Sequence, residues 1–265
     1  MRYTHRLLVA LAISLAGTGS ALADLVVTPT RIVLSDNEGN AEFRAVNMSA
    51  EAREYRIAWR QMRMAANGQL AELAGDGAAG AASALVRVTP TQIRLGPGEA
   101  QVVRVQTRRI PNLPIGEYIS HLTFQPLGAA RRPGAAAPPG EGSSMQLRVN
   151  LALSVPVIVR HGPVAGEAAV SIERLVADPP GISVSLARSG QASVYGNLEA
   201  YWSEAGRDAV RIGVLNGVAV YANLARRAVT IPLLPSAVLK PGVVQVVYRA
   251  SDSAEILSQA AVRVR

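Results

Sequence analysis

The sequence predicts an all-β protein, and three observations carry this prediction. Short runs rich in valine, isoleucine, leucine, threonine and aromatic residues recur along most of the chain, with turn-forming residues between them. Some turns are explicit, such as Asn67–Gly68 and Gly96–Gly98, where glycine supplies the backbone conformation that a tight turn needs. No long segment repeats its apolar residues with a helical period, although Ala71–Ala84 has room for a turn or two.

The first 23 residues have the features of a secretory signal peptide. Two arginines precede the apolar run Leu7–Ala16, and the small residues of Ala21–Ala23 form a cleavage box. We therefore expect residues 1–23 to be removed from an exported chain. The alternative is an uncleaved membrane anchor, but the apolar run is too short to span a bilayer as a helix. No membrane insertion is expected after cleavage, because no later stretch has the length of a membrane span.

Strand-like runs fall into two groups, separated by a break at His161–Pro163. The first group comprises Leu25–Leu34, Ala41–Val46, Tyr55–Met64, Leu85–Leu95, Ala100–Arg108, Gly116–Gln125 and Met145–Arg160. The second group comprises Ala168–Val176, Ile182–Arg188, Ser193–Trp202, Val210–Val214, Ala228–Ile231, Val243–Arg249 and Leu257–Val264. Short strands at this spacing are typical of antiparallel sandwiches. We predict two immunoglobulin-like β-sandwich domains, at residues 24–162 and 163–265.

Composition and charge argue against several classes of function. The formal net charge is +8, but the arginines are spread along the chain without a basic stripe, so nucleic-acid binding is not predicted. Without cysteine, neither disulfides nor thiolate metal sites are available. We interpret His121 as a half-buried strand residue and His161 as a linker residue, since neither has the spacing of a metal ligand or catalytic base. We predict no enzymatic activity, no cofactor and no metal.

An alternating segment, Met145–Val155, is the most informative single pattern. One face of this segment carries only apolar residues, namely Met145, Leu147, Val149, Leu151, Leu153 and Val155. It follows Gly128–Ser144, an Ala/Gly/Pro segment with almost nothing to bury, which we interpret as a mobile loop. The apolar face either packs against its own sandwich, as inner faces commonly do, or completes the sheet of a partner. The pattern alone leaves both readings open.

Several segments, taken together in chain order, resemble the PapD-like periplasmic pilus chaperones. They are Leu25–Leu34, Val46–Ser49 followed by Tyr55 and Trp59, Thr89–Glu99, Gly116–Leu122 and Ser154–Arg160. The last two are most similar to the archaic, Csu-type branch of that family. Each segment is weak alone, but the ordered set covers roughly residues 25–160 and is specific. The second half of the chain contributes only compatible strand content.

The resemblance implies a fold and a mechanism. Members have two immunoglobulin-like domains set at an angle, and they bind unfinished pilus subunits, or pilins, in the cleft between them. They act in the periplasm by donor-strand complementation and deliver subunits to an outer-membrane usher. The resemblance therefore implies pilins and an usher as partners. It also implies a donor strand whose side chains fill the subunit's groove, carried here by Met145, Leu147, Val149, Leu151 and Leu153.

The resemblance assigns Arg31 as the anchor of the subunit's C-terminal carboxylate. The alternative is an ordinary exposed arginine at a strand end. The family's second anchor, a lysine near the end of the donor strand, is absent here, because Pro156 occupies that position. Arg160, Arg94 and Arg148 are the candidates to replace it.

A secreted immunoglobulin-like structural or adhesive pilus component is the main alternative function. Fold alone does not separate these classes. A pilin is expected to carry its alternating donor segment at the N-terminus, whereas here that segment is internal, which favours the chaperone. The sequence leaves open whether the free protein caps its own apolar row or dimerises over it.

Overall fold

A computed structural model describes most of the chain after residue 23. The described residues are 24–73, 81–108, 110–127, 151–164, 168–204, 207–253 and 255–264. Four predictions fall outside these residues: the signal peptide at 1–23, the loop Gly128–Ser144, the donor residues Met145, Leu147 and Val149, and the candidate base Arg148.

The first sandwich is built from the strands between Leu25 and His161. They are β1 (Leu25–Thr28), β2 (Ile32–Ser35), β3 (Asn40–Asn47), β4 (Arg53–Arg60), β5 (Met62–Met64), β6 (Leu70–Glu72), β7 (Val86–Thr89), β8 (Gln92–Leu95), β9 (Ala100–Thr107), β10 (Gly116–Leu127) and β11 (Leu153–His161). One sheet has the strand order β1-β3-β9-β7, and the other has the order β2-β11-β10-β4-β8. Strands β5 and β6 form a separate hairpin.

Two runs that were predicted as single strands each divide between the two sheets. Leu25–Leu34 forms β1 and β2, and Leu85–Leu95 forms β7 and β8. The single-strand predictions were wrong because each run changes the phase of its alternation at a proline, Pro29 or Pro90. The buried positions are odd-numbered in β1 and even-numbered in β2. Proline has no N–H for a sheet ladder, so it suits the point where a strand leaves one sheet for the other.

Aromatic and aliphatic side chains from both sheets fill the first core. The rings of Phe43 and Phe124 are both fully buried and meet edge to face, with 6.4 Å between their centroids. Leu34, Leu122 and Val157 pack in the same cluster. Burial of this apolar surface supplies the main stabilisation of the sandwich, and it fixes β2, β10 and β11, which carry the site described below.

The second sandwich contains the strands from Ala169 onward. They are β12 (Ala169–Asp178), β13 (Gly181–Ser189), β14 (Val194–Ser203), β15 (Val210–Val220), β16 (Arg226–Pro232), β17 (Gly242–Ala250) and β18 (Ile256–Val264). Its sheets have the orders β12-β13-β16 and β15-β14-β17-β18. Tyr248 lies fully buried in its core, and the phenol donates a hydrogen bond to the Val218 carbonyl at 2.7 Å. The prediction of an all-β chain with two β-sandwiches is confirmed.

Two smaller predictions concern residues at the edges of the described segments. Strand β11 begins at Leu153, so Leu151 and Ala152 are not part of it, contrary to the predicted run from Met145. Within Ala71–Ala84, the described part contains one 3₁₀ turn, Ala82–Ala84. The chain passes from the first sandwich to the second between His161 and Ala169, and the exact division after Gly162 stays a prediction.

Candidate functional site

The outer face of β10 and the loops of the second sandwich form a buried contact between the two sandwiches. An apolar cluster lies at its centre, with Met64, Ala219 and Tyr221 buried and Ile119, Tyr195 and Leu224 packed against them. Two hydrogen bonds extend the contact to the β5–β6 hairpin. Asn223 Nδ2 donates to the Met64 carbonyl at 3.2 Å, and the Ala228 N–H donates to the Ala66 carbonyl at 2.7 Å. The contact therefore combines packing with backbone pairing.

Arg31 lies at one end of this contact, where the chain enters β2. Its Nη2 donates a hydrogen bond to Ser193 Oγ at 3.1 Å, and its guanidinium carbon stands 4.7 Å from the centre of the Tyr195 ring. Both partners belong to the second sandwich, so Arg31 reaches across the contact. A guanidinium stacked on an aromatic ring keeps its planar donor fork in a fixed orientation. The structure thus places Arg31 between the sandwiches, in contrast to the alternative of an exposed strand-end arginine.

Glu117, in β10, is the carboxylate of this site, and its side chain is fully buried. Arg160 Nε, from the neighbouring β11, donates to Glu117 Oε2 at 3.0 Å. Ser193 donates both its backbone N–H, at 3.0 Å, and its hydroxyl, at 2.9 Å, to the same carboxylate. Arg160 Nη2 in turn donates to the Ser193 carbonyl at 2.9 Å. A single serine is therefore held by three side chains of the first sandwich.

The charges at the site do not balance. Arg31 and Arg160 face one carboxylate, Glu117, and in the described part of the chain Arg31 forms no ion pair. Burial lowers the pKa of Arg31 below its usual value, and the nearby Tyr221 and Glu117 oppose this only in part. Arginine nevertheless stays charged at every physiological pH. A half-buried guanidinium without a carboxylate of its own carries an energetic cost that a bound anion would reduce, so the arrangement suits a carboxylate ligand.

His121 lies beside Tyr221 at the centre of the contact. Its Nε2 is 3.1 Å from the Tyr221 hydroxyl, while its Nδ1 has no hydrogen-bond partner in the described residues. The interpretation of His121 as half-buried was wrong, because the second sandwich covers the outer face of β10 and leaves the residue fully buried. Burial lowers the pKa of His121 to about 4 and raises the pKa of Tyr221 to about 12. The interpretation of His161 as a linker residue was wrong, because it is the last residue of β11, where its Nδ1 lies 2.7 Å from Asp36 Oδ1.

The buried imidazole gives the protein a specific pH dependence. His121 has a pKa of about 4 when folded and about 6.5 when unfolded, so the unfolded chain binds more protons between these values. The contribution of His121 to the free energy of unfolding is therefore fully present above pH 6.5 and is lost as the pH falls towards 4. For a pKa shift of this size the loss is about 3 kcal/mol. Urea unfolding of wild type and His121→Gln at pH 7 and pH 4.5 measures it.

We expect the His121→Gln variant to lose less stability on acidification than the wild type. His161→Gln is the matched control, because His161 is partly exposed and pairs with Asp36 of its own sandwich. Equal losses in wild type and His121→Gln would show that another group titrates.

Two of the predicted donor residues, Leu151 and Leu153, are described, and they lie in different environments. Leu153 is half-buried and packs against the core of its own sandwich, as does Val155. Leu151 is 80% exposed and precedes the strand. Thus the structure places Leu153 with its own core and Leu151 in solvent, while the three donor residues before them lie outside the described residues.

Within the described part of the chain, strand β11 has an unpaired edge along its first half. On one side it pairs with β10 from Leu153 to His161. On the other side it pairs with β2, but only over Val157–Arg160. Among the described residues, therefore, the backbone of Leu153–Pro156 has no strand on its second side. An unpaired edge next to an exposed leucine is a place where another strand can add to the sheet.

Arg31 stands at the end of this unpaired edge. Strand β2 runs parallel to β11, and its first residue, Ile32, pairs with Val157. Arg31 directly precedes Ile32, so it lies level with Pro156, where the unpaired edge stops. A strand added along Leu153–Pro156 would occupy the same column as β2 and would end against Arg31.

The candidates for a second base lie in different places. Pro156, at the position of the family's lysine, is uncharged and pairs with His121 across β10 and β11. Arg160 belongs to the site through Glu117 and Ser193. Arg94 is exposed on β8, at the opposite edge of the sheet from β2. Of the described candidates, only Arg160 is near Arg31.

Sequence reasoning missed the residues that complete the site. Glu117 stood inside a recognised motif without a role, because its partner Ser193 is 76 positions away. Ser193, Tyr195 and Tyr221 come from the half of the chain that carries no family motif. No helix in the described part of the chain has the length and hydrophobicity to cross a membrane.

The fold is similar to that of solved fimbrial chaperones. A chain of the CsuC–CsuE chaperone–tip subunit complex from the archaic Csu pili of Acinetobacter baumannii is 12% identical, with 91% of this chain and 98% of that chain covered and a TM-score of 0.47. The E. coli chaperone DraB is 13% identical, with coverages of 91% and 96% and a TM-score of 0.46. A chain of the Salmonella enterica SafA pilin–SafB chaperone complex is 15% identical, with coverages of 92% and 97% and a TM-score of 0.44. No protein-family profile and no curated protein sequence matches the chain.

Proposed function

We propose that this protein is a periplasmic chaperone of pilus subunits that acts by donor-strand complementation. The observation that carries the proposal is the edge of β11 at Leu153–Pro156, which is unpaired among the described residues and ends at the half-buried Arg31. An unfinished pilin lacks the last strand of its sandwich, so it exposes unpaired backbone and an apolar groove. The edge of β11 offers backbone groups to the pilin's unpaired backbone. The alternating apolar residues that precede this edge in sequence offer side chains to the pilin's apolar groove.

The position of Arg31 supports one direction for the bound strand. A pilin strand beside Leu153–Pro156 brings one of its ends to Arg31. A carboxylate at that end would receive charge-assisted hydrogen bonds from the guanidinium, whereas an ammonium group would be repelled. Therefore the C-terminal strand of the pilin runs parallel to β11 and ends at Arg31. Arg160 contributes to the positive potential, although Glu117 already holds its Nε.

The side chains of the row supply the apolar part of the binding. Leu151 is exposed in the free protein, and Met145, Leu147 and Val149 continue the same alternation towards the N-terminus. Burying three such side chains in the pilin groove contributes on the order of 5–9 kcal/mol before the cost of ordering the segment. Leu153 already packs against its own core, which fixes the end of the row to the sandwich.

Location and delivery follow from the other features of the chain. The signal peptide predicted at residues 1–23 would export it. Its resemblance to the PapD-like family implies release of the subunit to an outer-membrane usher. No enzymatic step is part of this function.

Co-expression with a pilin in the periplasm tests the proposal. A pilin that lacks its final strand should co-purify with the chain as a one-to-one complex and should be degraded without it. The matched control is the same pilin with a donor strand fused to its terminus, which fills the groove and leaves nothing to bind. Equal recovery of both pilins, or of neither, would exclude donor-strand complementation.

A further inference from the structure

Arg188 has an unusual set of partners at the end of β13. Its guanidinium donates to five backbone carbonyls, and in the described structure none of its partners is a carboxylate. Nε donates to Leu224 at 3.1 Å, and Nη2 donates to Ala222 at 2.8 Å. Nη1 donates to Ser189 at 3.3 Å, Gly190 at 2.7 Å and Ala192 at 3.1 Å.

Apart from that of Ser189, which ends β13, these carbonyls belong to two loops of the second sandwich. One loop joins β13 to β14 and leads directly into Ser193. The other joins β15 to β16 and begins with Tyr221. The two loops are distant in sequence, and the guanidinium of Arg188 bridges them.

Both loops carry residues that contact the first sandwich. Ser193 accepts hydrogen bonds from Arg31 and Arg160 and donates one to Glu117. From the other loop, Tyr221 contacts His121. The positions of Ser193 and Tyr221 relative to each other therefore depend on what holds the loops together.

We propose that Arg188 is a positioning residue that holds the second sandwich's half of the subunit-binding cleft. It acts through Ser193 and Tyr221 and does not itself touch the subunit. Its planar fork directs N–H groups of all three nitrogens to the carbonyls of two loops, a task that the compact ammonium of lysine cannot perform. The part of this inference that concerns pilin binding rests on the proposed function, while the part that concerns the loops does not.

Hydrogen exchange of the Ser193 amide tests the positioning without any subunit. This amide is bonded to Glu117, so its exchange reports whether the loop keeps its place. In Arg188→Lys we expect it to exchange about tenfold faster or more, with the Val246 amide in the core strand β17 unchanged. The matched control is Arg226→Lys, because Arg226 pairs with Glu173 at the surface of the adjacent strand. It should change neither amide.

A second variant and a binding assay complete the experiment. If Arg188→Lys and Arg188→Gln lose protection at Val246 as much as at Ser193, Arg188 supports the whole sandwich and the proposal is overturned. Unchanged exchange at Ser193 also overturns it. Capture of pilin should fall about tenfold in Arg188→Lys and stay unchanged in Arg226→Lys. If the wild type captures no pilin while the exchange result holds, the proposed function fails and the positioning role stands.

Discussion

Arg31→Ala is expected to weaken capture of a pilin by about 10- to 100-fold, which corresponds to the loss of one hydrogen-bonded charge pair. Arg31 lies at the end of the unpaired edge of β11. Among the described residues it forms no ion pair with a carboxylate. The variant itself should stay folded, because within the described part of the chain the guanidinium donates a single hydrogen bond, to Ser193, and its partly desolvated charge is a cost to the free protein. Pilin that co-purifies with each variant from the periplasm, quantified by mass spectrometry, measures the effect.

Two further variants separate the charge of Arg31 from its shape and position. Arg31→Lys keeps the charge but lacks the bidentate fork, so it should restore capture only in part. Arg94→Ala removes an exposed arginine from the far edge of the same sheet and should have no effect. Undiminished capture by Arg31→Ala would mean that Arg160 or another base anchors the carboxylate.

Glu117→Gln is expected to have the largest effect on stability. The Glu117 carboxylate is fully buried and accepts hydrogen bonds from Arg160 and from the N–H and hydroxyl of Ser193. Removing its charge leaves two buried or partly buried arginines without an anion, which costs about 3–5 kcal/mol. Such a loss is a large fraction of the stability of an ordinary domain. Urea unfolding, followed by circular dichroism, measures it.

Glu42→Gln is the matched control for Glu117→Gln. Glu42 also accepts a hydrogen bond from an arginine on a neighbouring strand, Arg104, at 3.0 Å, but both side chains are more than half exposed. An exposed pair of this kind contributes less than about 1 kcal/mol. Similar losses in the two variants would contradict the assignment of Glu117 as the ion that joins the sandwiches.

The fold was predictable because it depends on local patterns. Alternating apolar residues and turn chemistry predicted many strands close to their observed bounds, as in Ala100–Arg108 for β9, whereas β15 continues to Val220, beyond the predicted Val214. The divided runs at Pro29 and Pro90 were missed, although the shift in alternation was visible in the sequence. Attention to the phase on each side of a proline would have found these sheet crossings.

The sequence predicted a residue of the site only in the first sandwich, where the family motifs lie. Arg31 was assigned because the family motifs extend over the first half of the chain. Glu117 and Ser193 were missed because their contact joins the two sandwiches, and Arg188 was missed because its carbonyl partners lie in two loops that are distant in sequence. Arg188 lay in a predicted strand as an ordinary polar residue, and nothing near it in sequence indicates five carbonyl partners.

Disulfide cross-linking in the periplasm tests the central claim most directly. The chain contains no cysteine, so Ser154→Cys places a single thiol on the unpaired edge of β11, close enough to bond to a cysteine on a strand paired there. A cysteine scanned along the pilin's last strand should react with Ser154→Cys only near the pilin's C-terminus. With Ala152→Cys, the reactive position should move away from that terminus, as parallel pairing requires. Movement towards the C-terminus, or no cross-link in that strand, would contradict the account.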